Sequence, residues 1–219
     1  MTETTASRQR GRTAARRYDA VVFDLLTALL NSWKLWNAVA GSDTAGLRWR
    51  RQYLELTYGA GGYTPYEGII AESARLAGIP PGTADKLIRR WPDLEPWPET
   101  TSVLQALAAR VPLAVATNSS DRLAAFAVEA TGGRFAAVVT AEMAGAYKPR
   151  PEPYRRVLDA LGTEPARTLF VAGSAADVPG AGGVGMPVYW HNRLGLPPVD
   201  AAVKPMVTEI SLSPLLDLV

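Results

Sequence analysis

The stretch VVFDLLTALL, residues 21–30, contains a single carboxylate, Asp24, within a run of aliphatic and aromatic side chains. A run of this kind is typical of a buried strand in a parallel β-sheet. Burying an unpaired carboxylate costs free energy, so such a residue usually caps a helix, forms an ion pair or performs chemistry. We therefore expect Asp24 either to end the strand and cap the next helix, or to be a reactive group.

Further apolar stretches follow the same pattern and alternate with amphipathic helices. The predicted strands are 18–26, 111–118, 135–141, 168–173 and 186–190. Helical patterns separate the later strands from one another, and Pro and Gly mark the boundaries. This alternation predicts an α/β fold with a parallel, Rossmann-like sheet covered by helices on both faces.

Residues 32–97 interrupt the alternation with four helical patterns: SWKLWNAVA, AGLRWRRQYLELTYGA, TPYEGIIAESARLAG and GTADKLIRRW. We interpret this segment as an inserted four-helix cap domain above the carboxyl end of the first strand, the edge at which open parallel sheets bind ligands. The α/β core domain would then comprise residues 18–31 and 98–219. Residues 1–17 are predicted to form a disordered basic tail.

The composition excludes several classes of protein. The chain has no cysteine, which rules out disulfides, a thiolate nucleophile and cysteine-bound metals. Five arginines, Arg8, Arg10, Arg12, Arg16 and Arg17, lie in the tail, and the other 18 basic and 21 acidic residues give a net charge of −3. We therefore expect no nucleic-acid partner. No apolar run approaches the roughly 18 residues of a membrane span, and no hydrophobic signal region follows Met1, so we expect a cytoplasmic protein without a membrane partner.

Polar side chains follow four of the predicted strands, at the point where each strand ends. Asp24 follows the first strand, ATNSS (116–120) the second, YKPRPEPY (147–154) the third and VAGSAAD (171–177) includes the end of the fourth. The carboxyl ends of parallel strands meet at one edge of a sheet. We therefore expect a carboxylate, a hydroxyl, a lysine and a second carboxylate to converge on one crevice.

These stretches, in this order and with the helical insertion, resemble the haloacid dehalogenase superfamily over residues 18–219. Within it the resemblance is greatest to the 2-haloacid dehalogenases. VVFDLLTALL is similar to their nucleophile strand, LRWRRQYLELTY to the cap helix with a substrate-binding arginine, and LAVATNSS to their Ser-Asn loop. YKPRPEPY carries the family's lysine and tyrosine, and LFVAGSAADVPGAGGVGMPVYWHNR resembles the last loop with its acid.

The resemblance implies a reaction and a set of site residues. An aspartate nucleophile, Asp24, would displace halide from a small 2-substituted carboxylic acid and form an ester that water then hydrolyses. The implied catalytic residues are Asp24, Lys148, Asp177, Thr117 and Ser174. The implied substrate-binding residues are Arg50, Asn118, Leu26, Tyr154 and Ala176. Lys148 would hold Asp24 ionised, and Arg50 would pair with the substrate carboxylate or the departing halide.

Magnesium-dependent phosphatases of the same superfamily are the alternative. They have an acid two residues after the nucleophile, where this chain has Leu26, and another acid at the position of Gly173. Halide leaves without protonation, whereas Mg²⁺ prefers carboxylate oxygens. We therefore predict metal-free chemistry without a cofactor, with Mg²⁺ needed only if the phosphatase alternative holds. A protein that kept the fold but lost turnover, and acts by binding, is a third alternative, and a homodimer is compatible with the sequence.

Three further features of the sequence have to be interpreted: Ala176, His191 and the glycine-rich stretch 180–185. Ala176 stands where the family has a bulky aromatic residue, which predicts space for substrates larger than 2-chloropropionate unless cap residues such as Trp33 or Tyr53 refill it. His191 is the only histidine, and we interpret it as a strand-end or surface residue. GAGGVG (180–185) is interpreted as allowing close helix packing, because it does not open a helix after a strand.

Overall fold

A single parallel sheet forms the centre of the molecule in a computed structural model that describes residues 17–219. Its six strands are β1 (Ala20–Phe23), β2 (Leu113–Thr117), β3 (Ala137–Thr140), β4 (Thr168–Ala172), β5 (Val188–His191) and β6 (Val207–Glu209). Their order is β3-β2-β1-β4-β5-β6, and every neighbouring pair is parallel. The predicted α/β fold is confirmed. The predicted tail lies outside the described residues, except for Arg17.

Ten α-helices accompany the sheet within residues 17–219. They are α1 (Ser32–Ala40), α2 (Asp43–Gly59), α3 (Tyr66–Leu76), α4 (Thr83–Arg89), α5 (Thr100–Ala108), α6 (Asp121–Ala130), α7 (Ala141–Ala144), α8 (Pro151–Leu161), α9 (Asp177–Gly183) and α10 (Leu215–Leu218). Each of the four helical patterns predicted in the insertion corresponds to one of the helices α1 to α4. No helix in this part of the chain is both long and apolar enough to cross a bilayer.

Successive strand residues point to opposite faces of the sheet, and other elements of the chain cover both faces. In β1, Val21 and Phe23 pack into a cluster that includes side chains of α5, α6 and the insertion. Val22 points to the other face and packs with side chains of α8 and α9. All four residues of β1 are fully buried, so packing on both sides holds the carboxyl end of this strand in place.

The insertion is joined to the sheet by two adjacent stretches of chain. Leu30 and Pro96 form an antiparallel bridge, and the Asn31 amide donates to the Glu95 carbonyl at 2.8 Å. Inside the insertion, Trp36 and Trp49 pack with their ring centroids 4.7 Å apart. The outgoing and returning chains therefore pass side by side at the base of the insertion.

A single π-helical turn, Leu25–Leu29, follows β1 directly. The Leu30 amide donates to the Leu25 carbonyl at 3.2 Å, five residues back along the chain. All five residues of the turn are buried. This wide turn carries the chain from the strand end towards the insertion, and it leaves backbone groups available for other partners.

The glycine-rich stretch at 180–185 allows close packing at one position. A Cβ on Gly180 would lie 2.5 Å from the Tyr154 hydroxyl oxygen and 2.9 Å from the Pro149 Cβ. Only glycine therefore lets α9 approach α8 this closely. Gly182 and Gly183 have no neighbour within 4 Å of an added Cβ, so the packing argument applies to Gly180 rather than to the whole stretch.

Candidate active site

Asp24 both caps the π-helical turn, as one sequence interpretation predicted, and forms an ion pair, while its role as a reactive group stays a prediction. Its Oδ2 accepts hydrogen bonds from the amides of Thr27 at 3.1 Å and Ala28 at 3.2 Å. Its Oδ1 accepts one from Lys148 Nζ at 2.9 Å. The carboxylate lies at the carboxyl end of the central strand, is 6% exposed and faces a pocket. It is an oriented carboxylate at the edge where this fold class binds ligands.

Lys148 links Asp24 to the second predicted acid, Asp177. Its ammonium nitrogen lies 3.1 Å from Asp177 Oδ2, and both side chains are almost completely buried. Asp177 Oδ1 accepts a further hydrogen bond from the Tyr154 hydroxyl at 2.7 Å. The ammonium group thus balances two buried carboxylates that would otherwise repel one another.

Burial sets the proton affinities in this cluster. It raises the pKa of Asp177 to about 6, with help from the charge of Asp24 and against the attraction of Lys148. Burial alone would lower the pKa of Lys148, but the charges of Asp177 and Asp24 outweigh it and the pKa is raised. At pH 7 the lysine is therefore a cation, and Asp177 is mostly ionised while remaining close to its titration range.

Arg50 provides a second buried cation in the wall of the pocket. Its guanidinium lies 4.3 Å from the Trp33 ring centroid and 5.3 Å from that of Trp36, and it donates to the Ser32 hydroxyl at 3.0 Å. Within residues 17–219 its Nε has no hydrogen-bond partner, and the side chain forms no ion pair. Burial lowers its pKa, but arginine stays charged at neutral pH. A buried guanidinium with spare donors is suited to an anionic group of a ligand.

Seven of the ten predicted site residues line one pocket. They are Asp24, Leu26, Arg50, Asn118, Lys148, Ser174 and Asp177. Residues that the sequence prediction did not assign to the site complete the wall: Thr27, Trp36, Tyr53, Leu54, Tyr58 and Tyr66. The pocket volume is about 40 Å³, enough for only a few water molecules. Aromatic residues of α2 and α3 therefore fill much of the space above the strand ends.

Three predicted site residues lie elsewhere. Thr117 is fully buried at the end of β2, with its hydroxyl 3.5 Å from that of Ser119. Tyr154 is also fully buried and reaches the pocket only through Asp177, because α8 holds it behind that carboxylate. Ala176 precedes α9 and does not line the pocket. Neither Tyr154 nor Ala176 lines the pocket in this structure, and their contact with a ligand stays a prediction.

Asn118 lines the pocket, but its amide group is used within the protein. Its Nδ2 donates to the Lys148 carbonyl at 2.9 Å, and its Oδ1 accepts from the Lys148 amide at 2.7 Å. This reciprocal pair fixes the backbone that carries the lysine. The side chain therefore positions Lys148, while the second N–H of its Nδ2 is left for a ligand, and its contact with a substrate stays a prediction.

Ser174 meets a residue that the sequence prediction missed. The Tyr58 hydroxyl of α2 lies 2.9 Å from the Ser174 hydroxyl, and the Ala176 amide donates to the same serine oxygen at 3.3 Å. Burial raises the pKa of Tyr58 to about 12, so its hydroxyl stays protonated. Nothing in the sequence distinguishes Tyr58 from the other aromatic residues of α2, because its role depends on how the insertion lies over the sheet.

The loop geometry explains why glycine occupies position 173. A Cβ at Gly173 would lie 2.2 Å from the Ala28 amide nitrogen and 2.5 Å from the Thr27 carbonyl carbon. The π-helical turn therefore leaves no room for the additional acid of a magnesium-dependent phosphatase. The four oxygens of Asp24 and Asp177 already accept hydrogen bonds from Lys148, Tyr154 and the turn. The residues present therefore fit a magnesium ion poorly.

Comparisons with known proteins agree with this geometry. The family model of haloacid dehalogenase-like hydrolases matches residues 18–185. Haloacetate dehalogenase H-2 of Moraxella sp. (strain B) is 29% identical over 198 residues, which cover 82% of this chain and 88% of that protein. (S)-2-haloacid dehalogenase 4A of Burkholderia cepacia is 31% identical over 141 residues, or 62% of this chain and 61% of that one.

A solved structure gives the same result in three dimensions. The L-2-haloacid dehalogenase RSc1362 superposes with a TM-score of 0.82 at 27% identity, covering 91% of this chain and 97% of that one. The chain belongs to the haloacid dehalogenase-like hydrolases.

Proposed function

We propose that this protein is a hydrolase of the 2-haloacid dehalogenase type, which uses Asp24 to displace halide from a small 2-halocarboxylic acid. One observation carries the proposal: the oriented carboxylate of Asp24 and the buried guanidinium of Arg50, which has no ion pair within residues 17–219, line the same small pocket. A nucleophile and an anion-binding group on the walls of one cavity match a substrate that carries both a carboxylate and a leaving group. The dehalogenases similar to this chain support the same reaction class.

In the first step an oxygen of Asp24 attacks C2 of the acid. A C–O bond forms, the carbon–halogen bond breaks, and halide leaves with the electron pair. Lys148 keeps Asp24 ionised before the attack, and Arg50 pairs with the substrate carboxylate or stabilises the departing halide. No proton is needed by the leaving group, which agrees with an apolar residue, Leu26, two positions after the nucleophile.

In the second step water attacks the carbonyl carbon of the Asp24 ester. The acyl C–O bond breaks, the leaving alkoxide takes up the second proton of the attacking water and departs as the 2-hydroxy acid, and the carboxylate is restored. Asp177, ionised at pH 7 and lining the pocket, is the group that takes the proton from water. Ser174 and Tyr58 supply hydroxyl groups on the same wall that hold this water.

Isotope labelling tests the ester mechanism directly. With enzyme in excess over 2-chloropropionate in H₂¹⁸O, a single turnover is expected to leave the label in Asp24, because water attacks the carboxyl carbon rather than C2. Label found only in the hydroxy acid would contradict the proposal. Asp24→Asn retains one oxygen for capping and is expected to fold normally but release no halide.

The phosphatase alternative is tested in the same preparation. Phosphate release from phosphomonoesters that needs Mg²⁺ and is abolished by EDTA would favour it over dehalogenation. We expect halide release to be unaffected by EDTA, since Gly173 and Leu26 replace the additional acids. The binding-protein alternative predicts neither halide nor phosphate release and no label in Asp24.

We further infer a cytoplasmic location, with a small carboxylic acid and no nucleic acid or membrane as partner, and with a homodimer as the assembly to test. The lack of cysteine and the net negative charge outside the tail support this inference. We also propose that residues 32–97 form a cap domain, with residues 18–31 and 98–219 as the core. Sedimentation of the purified protein, and halide release measured with and without competing DNA, test the assembly and partner assignments.

A further inference from the structure

Three consecutive carbonyl groups of the turn after Asp24 each accept a hydrogen bond from a side chain outside the turn. Trp97 Nε1 donates to the Thr27 carbonyl at 2.9 Å, and the Thr100 hydroxyl donates to the Leu29 carbonyl at 2.8 Å. Between them, His191 Nδ1 lies 2.8 Å from the Ala28 carbonyl. Buried carbonyls need such partners, because a π-helical turn of one repeat satisfies few of its own groups.

The first of these hydrogen bonds reaches Asp24 through a single peptide unit. The Thr27 carbonyl, which Trp97 holds, and the Ala28 amide, which donates to Asp24 Oδ2 at 3.2 Å, belong to the same planar group. A rotation of this plane would weaken both hydrogen bonds at once. The indole therefore fixes the orientation of the group that orients the carboxylate.

His191 holds the next peptide unit as a neutral ring. Burial lowers the pKa of His191, and the ring is 1% exposed. A neutral imidazole that faces a carbonyl with Nδ1 carries its proton on that nitrogen. The sequence interpretation as a strand-end residue is correct, because His191 ends β5, but the residue is not at the surface.

We propose that Trp97, His191 and Thr100 are positioning residues that hold the turn after Asp24 in the geometry its carboxylate needs for attack. All three are buried and none lines the pocket, so they act through the backbone of residues 27–29 and not on the substrate. The kinetic part of this inference rests on the proposed function, whereas the structural part does not.

The chain offers a matched pair of tryptophans for the test. Trp91 is also buried, and its Nε1 donates to a backbone carbonyl, that of Leu123, at 3.0 Å, in α6 rather than in the turn. Each Trp→Phe change removes one buried hydrogen bond and keeps an aromatic ring. We expect Trp97→Phe to lower kcat for halide release from 2-chloropropionate about tenfold to hundredfold with KM within about twofold, because misorientation of a nucleophile affects the chemical step. Trp91→Phe should leave both constants near wild type.

Hydrogen exchange of the free protein tests the inference without relying on activity. We expect the amides of residues 25–30 to exchange about fivefold to tenfold faster in Trp97→Phe than in Trp91→Phe. His191→Asn, whose amide can replace the Nδ1 donor, should keep more activity and protection than His191→Leu. If Trp97→Phe does not fold, Thr100→Val is compared with Trp91→Phe by the same two measurements.

Equal exchange of residues 25–30 in Trp97→Phe and Trp91→Phe would overturn the inference, as would equal kcat values or a change confined to KM. Absence of halide release from the wild type would contradict the proposed function instead. In that case the exchange comparison still decides whether these side chains hold the turn.

Discussion

Lys148 is the residue whose removal changes the charge balance of the site most. It lies within 3.1 Å of one oxygen of each buried carboxylate, Asp24 and Asp177. We expect Lys148→Met to abolish halide release and to lower the free energy of unfolding by about 3–5 kcal/mol, because two uncompensated acids remain buried. Urea unfolding measures this. Lys34→Met, which breaks the exposed pair with Glu95, should cost less than about 1 kcal/mol.

The raised pKa of Asp177 predicts a pH dependence for one step only. Its ionised form accepts the proton from water, so ester hydrolysis should slow as the pH falls through about 6 or somewhat below. This decline in rate is centred at or below pH 6, because formation of the ester removes the negative charge of Asp24, which helps to raise the pKa of Asp177. Stopped-flow measurements should show a halide burst that persists while turnover declines. If the halide burst declined together with turnover as the pH fell, the pH dependence would belong to the first step.

At the residue scale, the sequence indicated those groups that stand at strand ends or within recognisable stretches. Asp24, Lys148 and Asp177 lie together, as the parallel topology predicts. Tyr58 and His191 were not assigned to the site, because nothing in their local sequence distinguishes them from core or surface residues. Their contacts arise only when distant elements come together, so a single sequence holds no local signal for them.

At the scale of elements, the π-helical turn packs so closely against the loop after β4 that adding one methyl group at Gly173 should destabilise the fold. Gly173→Ala would place a Cβ 2.2 Å from the Ala28 amide nitrogen, which is backbone and cannot rotate away. We expect a loss of about 1–3 kcal/mol in the free energy of unfolding together with slower halide release. Gly183→Ala, which meets nothing within 4 Å, is the control and should leave halide release unchanged and the free energy of unfolding equal or up to about 1 kcal/mol higher. Similar free energies of unfolding and similar rates of halide release in the two variants would show that the turn can shift to accommodate the added methyl group.

The main elements were predictable because their periodicities differ. The buried strands consist almost entirely of apolar residues, whereas in α1 to α4 the apolar residues recur at helical spacing. Both patterns predict the elements that the structure contains. The boundaries were one to three residues too wide at most strand ends. β6 was missed because three partly exposed residues, Val207–Glu209, carry no periodicity and depend on pairing with β5.

At the scale of the whole molecule, the fit between the insertion and the sheet limits the substrate. The position of Ala176 predicted a preference for large substituents, but this residue does not line the pocket, whose wall includes the large side chains of Tyr53, Tyr58 and Tyr66. Because the pocket volume is only about 40 Å³, we expect kcat/KM to fall from chloroacetate through 2-chloropropionate to 2-chlorohexanoate. Leu54→Ala should flatten this series by enlarging the pocket. A wild-type series that rises with chain length would contradict the expectation.

The side-by-side passage of the chain at Leu30 and Pro96 has a consequence for protein engineering. Exchanging the insertion for one from a relative is an obvious way to redesign specificity. A graft that ended after Trp97 would import a foreign residue at the position that contacts the Thr27 carbonyl. Fusion points placed between Asn31 and Glu95 instead retain the paired stretch with its hydrogen bond at 2.8 Å. Chimaeras cut at these points should inherit the reactive geometry of this chain together with the pocket walls of the donor.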